Sequence, residues 1–110
     1  MNMNGDNVKK CKDLLEKWKN FSKVYDAIYD AYRYGYNCGI GAESGRKSEE
    51  SENIQKRDAL LDARKHYKKV CADISEAFEC GYNDGVETEK YCREMRIAEC
   101  IDPKQIPTAI

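Results

Sequence analysis

The segment Ala31-Tyr32-Arg33-Tyr34-Gly35-Tyr36-Asn37-Cys38-Gly39-Ile40 returns 46 positions later as Ala77-Phe78-Glu79-Cys80-Gly81-Tyr82-Asn83-Asp84-Gly85-Val86. The match is longer than this motif. Aligning residues 14–43 with 60–89 gives 12 identities in 30 positions, among them Leu14/Leu60, Lys19/Lys65, Lys23/Lys69, Val24/Val70 and Ile28/Ile74. Helical periodicity alone would pair apolar with apolar. It would not reproduce Gly-Tyr-Asn-x-Gly, so the chain reads as a tandem duplication of one unit.

Those units read as helices. Val8, Cys11, Leu14, Leu15, Trp18, Phe21, Tyr25, Ile28, Tyr29, Tyr32, Gly35 and Tyr36 fall on one arc at about 100° per residue, with lysines and aspartates opposite. Leu60, Leu61, Tyr67, Val70, Cys71, Ile74, Ala77, Phe78, Gly81, Tyr82 and Gly85 form the same arc in the second unit. Both prolines lie beyond Asp102, so nothing interrupts either helix earlier. The spacing predicts one all-helical domain over residues 1–110. Repeat 1 spans about 8–45, a polar loop about 45–51, repeat 2 about 52–100, and a short tail 101–110. The expected fold class is all-α, a long antiparallel helical hairpin that dimerises into a bundle.

Folded about the loop, that hairpin sets Gly35 against Leu61, Gly81 against Leu15, and Trp18 against Phe78. Ala31-x-x-x-Gly35-x-x-x-Gly39 and its twin then form smooth strips for close approach. Each mid-helix glycine costs roughly 1 kcal/mol of helix propensity, so the space is expected to be used. A lone hairpin buries little surface, which predicts a homodimer.

With 19 basic and 20 acidic residues the net charge is −1, so no overall basic field invites nucleic acid, and direct nucleic-acid binding is not expected. No apolar run reaches the ~20 residues of a membrane span, and residues 1–6 lack the apolar core of a signal peptide. The expectation is a cytoplasmic protein, free of membrane, with reduced cysteines. The six cysteines show no Cys-x-x-Cys spacing. Cys11, Cys71, Cys92 and Cys100 are expected in the core as small hydrophobes, and Cys38 and Cys80 on the outer face. His66 has no partner at ligand spacing and is expected on the surface. Nothing in the pattern supplies a nucleophile–base pair, so no enzyme, cofactor or metal is predicted.

Two further patterns suggest binding. The hairpin register brings Arg57 and Arg64 toward Tyr32, Tyr36 and Asn37, a notch suited to a nucleotide-like anion. Arg33, Tyr34 and Tyr91 lie on outer faces, where tyrosine and arginine dominate interface energetics. The motif from Ala77 to Gly85 resembles the Ala-Phe-x-x-Gly-Tyr-x-x-Gly helix of small phage and mobile-element accessory proteins. That resemblance implies an inhibitor, such as an anti-CRISPR, that binds a host defence protein in the host cytosol and blocks its working surface. The alternatives are an oligomeric binder of an anionic ligand and a virion assembly component.

Overall fold

In the computed structural model, which describes the backbone of residues 3–99 and the side chains of residues 6–95, the apolar arcs form four helices rather than two. They are α1 Met3–Lys17, α2 Ser22–Ser44, α3 Lys47–Ala63 and α4 Lys68–Glu99. No strand occurs among the described residues. The expectations for the side chains of Ile97 and Cys100 and for the tail 101–110 lie outside the described residues.

Each long helix of the sequence reading is broken in its first half, and the breaks correspond at an offset of 46. Lys19 N–H donates to Glu16 O (3.3 Å) and Phe21 N–H to Trp18 O (2.9 Å). Lys65 N–H donates to Asp62 O (3.3 Å) and Tyr67 N–H to Arg64 O (2.9 Å). Neither Trp-Lys-Asn-Phe nor Arg-Lys-His-Tyr carries a glycine or proline. Local propensity does not impose these turns. They form because a turn lets α1 and α3 reverse and bury their apolar faces. The expected loop at 45–51 contracts to Gly45 and Arg46. Gly45 adopts φ 82°, and Arg46 N–H donates to Gly41 O (2.8 Å), closing α2. Glu49 and Glu50 then occupy the first turn of α3, at the positive end of its dipole.

The central pair is α2 and α4, and it runs parallel, correcting the antiparallel hairpin. A Cβ built on Gly35 meets the backbone of Phe78 and Tyr82, and one on Gly39 meets Tyr82 and Val86. Reciprocally, Gly81 meets Tyr32 and Tyr36, and Gly85 meets Tyr36 and Ile40. Contacts rise together along both helices. Each is matched by its counterpart 46 residues away, so the pseudo-two-fold axis runs along the pair. Gly35 therefore does not pack on Leu61, nor Gly81 on Leu15. Both motifs are continuous helix and bring backbone against backbone. The hydrogen that glycine carries in place of Cβ points at a carbonyl, a Cα–H···O contact repeated four times.

The outer helices complete the bundle. α1 packs chiefly against α4, and α3 chiefly against α2. The result is a four-helix bundle flattened across one diagonal, with extents of 61 × 29 × 19 Å. Ile28 and Ile74, equivalent in the two units, are fully buried with Ala31 and Ala77. Ile28 thus lies in the core, as its place on the apolar arc predicts. Trp18 pairs with Phe21 edge-on (5.7 Å between centroids) rather than facing Phe78.

The two-partner environment of α2 and α4 also corrects the cysteines. Cys38 and Cys80, expected outside, are buried because a second helix covers the face that a hairpin leaves open. Cys38 Sγ lies 3.6 Å from Glu50 O on α3. Cys11 is buried as expected, whereas Cys71 and Cys92 are half-buried. Asp84, 2% exposed, accepts a hydrogen bond from Tyr32 Oη, while its Oδ1 has no partner among the described residues. Beyond α2, Arg93 of α4 grips its C-terminus through Glu43 O (3.1 Å) and Glu43 Oε2 (2.5 Å).

A cationic, aromatic cavity as candidate functional site

Because α2 and α4 run parallel, the two turns meet at one pole of the molecule. A cavity of about 690 Å³ opens there, lined by Trp18, Phe21, Lys23 and Val24 from the first unit and Arg64, Tyr67, Lys69 and Val70 from the second, with Ala63 and Lys68. The first eight are four pairs related by the offset of 46, so the cavity lies on the pseudo-two-fold axis. Val70 is buried at its inner side. Phe21 (59% exposed) and Tyr67 (65%) stand at its mouth. The exposed lysines 23, 68 and 69 surround them.

The symmetry is broken where it matters chemically. Trp18 and Arg64 occupy equivalent positions, one an indole and the other a guanidinium. Asp73 orients the indole. The carboxylate is buried and accepts from Trp18 Nε1 (2.8 Å) and Lys17 Nζ (2.9 Å). Its counterpart in the first unit is Ala27. Arg64 donates from Nη1 to Leu60 O (3.2 Å), which places the guanidinium on the cavity wall.

Basic charge predominates at this pole. Residues 17–25 and 63–72 carry seven lysines and arginines and no acid, leaving 12 basic and 20 acidic residues, a net of −8, over the rest of the chain. Lys17 and Lys19 pair with Asp73 and Glu16 at the edge. Lys23, Arg64, Lys65, Lys68 and Lys69 have no ion-pair partner among the described residues. The overall charge of −1 concealed this pole.

Other predicted site residues are dispersed, and the proposed notch does not assemble. Arg64 lines the cavity, while Arg57 pairs with Asp58 (2.9 Å) and stacks on Phe78 (4.7 Å). Tyr32 is occupied by Asp84 and stacks with Tyr36 (6.4 Å). Asn37 is half-buried on α2. Arg33 and Tyr34 do come together: Arg33 lies 5.3 Å and Lys56 5.5 Å from the Tyr34 ring centre, and Arg33 pairs with Asp30 (3.0 Å). Tyr91 is exposed on the α4 extension and His66 at the second turn. The apolar arc is borne out for Trp18, which packs against the core, but not for the exposed Phe21 and Tyr67, and the pattern did not single out Lys23 and Lys69. The signal was in the alignment, where Lys19/Lys65, Phe21/Tyr67 and Lys23/Lys69 match around each turn.

Among the described residues no group of three or more His, Cys, Asp or Glu side chains could hold a metal ion, and no helix is long and apolar enough to cross a membrane. Neither a protein-family model, nor a curated protein, nor a solved structure matches the chain.

Proposed function

We propose that this chain is a non-catalytic binding protein that docks on a protein partner and covers its surface, the inhibitory role implied by the resemblance to phage accessory proteins. The observation that carries this reading is a stripe on α2. Phe21, Tyr25 and Tyr29 recur every four residues, all exposed, and Arg33 continues the row. Three aromatic rings and an arginine then present one face about 18 Å long. Rings this exposed lie outside the buried core, and exposed apolar rows of this kind mark interaction surfaces. The row begins at the cationic pole, so the partner surface that fits it is acidic.

The matched turns and the reciprocal glycine contacts support the duplication. The case for a homodimer changes. A thin hairpin needs a second copy for burial, but four helices in one chain supply a core internally. A two-fold contact through the cationic pole would oppose like charges. A second copy is better accommodated on the α4 extension, where Tyr91 and Met95 are exposed.

The test is affinity capture from host lysates with the wild type and a Tyr25→Ser/Tyr29→Ser variant, both checked for native helicity. A partner held by the wild type and lost by the variant is expected. Equal capture by both, or none by either, would overturn the reading.

A further inference from the structure

We infer that the cavity at the cationic pole takes an acidic peptide segment, an apolar side chain entering beside Trp18 while neighbouring carboxylates meet Arg64 and the lysine rim. This inference rests on the protein-binding reading above and specifies the chemistry of the contact.

Three observations combine. The first is shape: a cavity of about 690 Å³ lies within the range that encloses a small ligand or a few side chains. The second is asymmetry: equivalent positions present Trp18 on one wall and Arg64 on the other. An occupant that is apolar throughout desolvates the guanidinium's remaining donors without pairing them, and one that is anionic throughout leaves the indole and the valines unmatched. An amphiphilic occupant satisfies both. The guanidinium commits one bond to Leu60 O, and its remaining donors suit the paired oxygens of a carboxylate.

The third observation is the charge distribution, which selects among anionic amphiphiles. The seven basic residues occupy one end, where Asp73 and Glu16 pair with two of them at the edge, and the rest of the chain carries 12 basic and 20 acidic residues. A nucleic-acid strand tracks a surface over many phosphates and would be repelled beyond the pole. A vesicle presents an extended anionic plane to the same flanks. A short acidic segment engages the pole alone.

Trp18 is the only tryptophan, so its emission reports the cavity directly. The probe is a synthetic peptide of Glu, Asp, Leu and Phe. It is compared with the same peptide carrying Gln and Asn for its acids, one carrying Ser for Leu and Phe, a thymidine oligonucleotide, and phosphatidylglycerol vesicles. The expected result is a saturable change in Trp18 emission with the acidic–apolar peptide alone. Its affinity should weaken at least about tenfold in Lys23→Gln/Lys69→Gln, and again as salt rises and screens the rim. Both lysines are exposed, so the variant keeps its fold. Arg64→Leu should lose the preference for the acidic over the neutral peptide. No response, an equal response to the neutral peptide, or a stronger one to oligonucleotide or vesicles would overturn the inference. Partner capture that depends on Tyr25 and Tyr29 but not on Lys23 and Lys69 would overturn it while leaving the broader reading intact.

Discussion

Replacing Gly81 by alanine pits helix propensity against the packing of the central pair. On propensity alone, Gly81→Ala stabilises an interior helix position by roughly 1 kcal/mol. The new Cβ, however, lies 2.9 Å from both Tyr32 C and Tyr36 N and closer still to Tyr32 O. Ordinary contact needs about 3.4 Å or more, and these obstacles are backbone atoms of a continuous helix, which no rotamer change can move aside. α2 and α4 must separate along the seam. Overpacking a core typically costs 1–3 kcal/mol, and a backbone obstacle places this site at the upper end or beyond. The net expectation is a loss of about 2 kcal/mol or more, from a total on the order of 5–15 kcal/mol for such a domain. Urea unfolding followed by far-ultraviolet circular dichroism measures it. Gly35→Ala wedges the same level of the seam from the other side, so the double variant should lose less than the sum of the singles. Gly41→Ala is the control, because its Cβ would lie 3.2 Å from Arg46 O and Glu50 N, a far milder contact. If Gly81→Ala unfolds at the same or higher urea than the wild type, the close backbone approach of α2 and α4 is wrong.

Three further outcomes follow from the buried polar groups. Tyr32→Phe leaves Asp84 buried without its hydrogen-bond donor and should cost about 2–3 kcal/mol in urea unfolding. Adding Asp84→Leu should recover part of that loss, and strict additivity would rule out the pairing. Asp73→Leu removes the acceptor that holds the Trp18 indole. It should cost about 1–3 kcal/mol and shift Trp18 emission, whereas Asp73→Asn, which keeps an acceptor, should perturb both less. Alkaline stability reports the buried thiols. Burial first, then the neighbouring Cys80 and Asp84, push Cys11 from the ordinary 9.0 up to about 11. Burial also raises Cys80, and Tyr32 is raised by burial and by its bond to Asp84. The unfolded chain gives up these protons at lower pH than the native one, so stability present below about pH 9 is lost as pH climbs through about 11. A melting temperature flat across that window would contradict the burial of Cys11.

The contrast between what the residues disclose and what they withhold is physical. Helical periodicity and the small-residue strips are local patterns, and each appears in the fold. The direction of the central pair is not local, since a glycine strip accepts a parallel or an antiparallel partner equally well. The turns at 18–21 and 64–67 carry no breaker, because tertiary burial and not backbone propensity sets them. That choice of direction hid the candidate site. In the antiparallel register that sets Trp18 against Phe78, the two Lys-rich segments lie about eleven residues, roughly 16 Å, apart along the hairpin and line no common cavity. Arg64 does line the candidate site, but beside Trp18 and the lysines rather than with Arg57, Tyr32, Tyr36 and Asn37. Phe21, Tyr25, Tyr29 and Tyr67 have helical spacing indistinguishable from core residues, and only the arrangement of four helices leaves them outside.

The reciprocal packing of the outer helices bears on how the chain assembles. Since α1 leans mainly on α4 and α3 mainly on α2, neither half of the chain closes upon itself, and each is completed by the other. The join between the halves is only Gly45 and Arg46, both exposed. Nicking the chain there would leave two complementary fragments whose recombination becomes bimolecular. The join then acts as a tether, supplying a local concentration on the order of millimolar, and it turns an encounter between two strands into a single folding event.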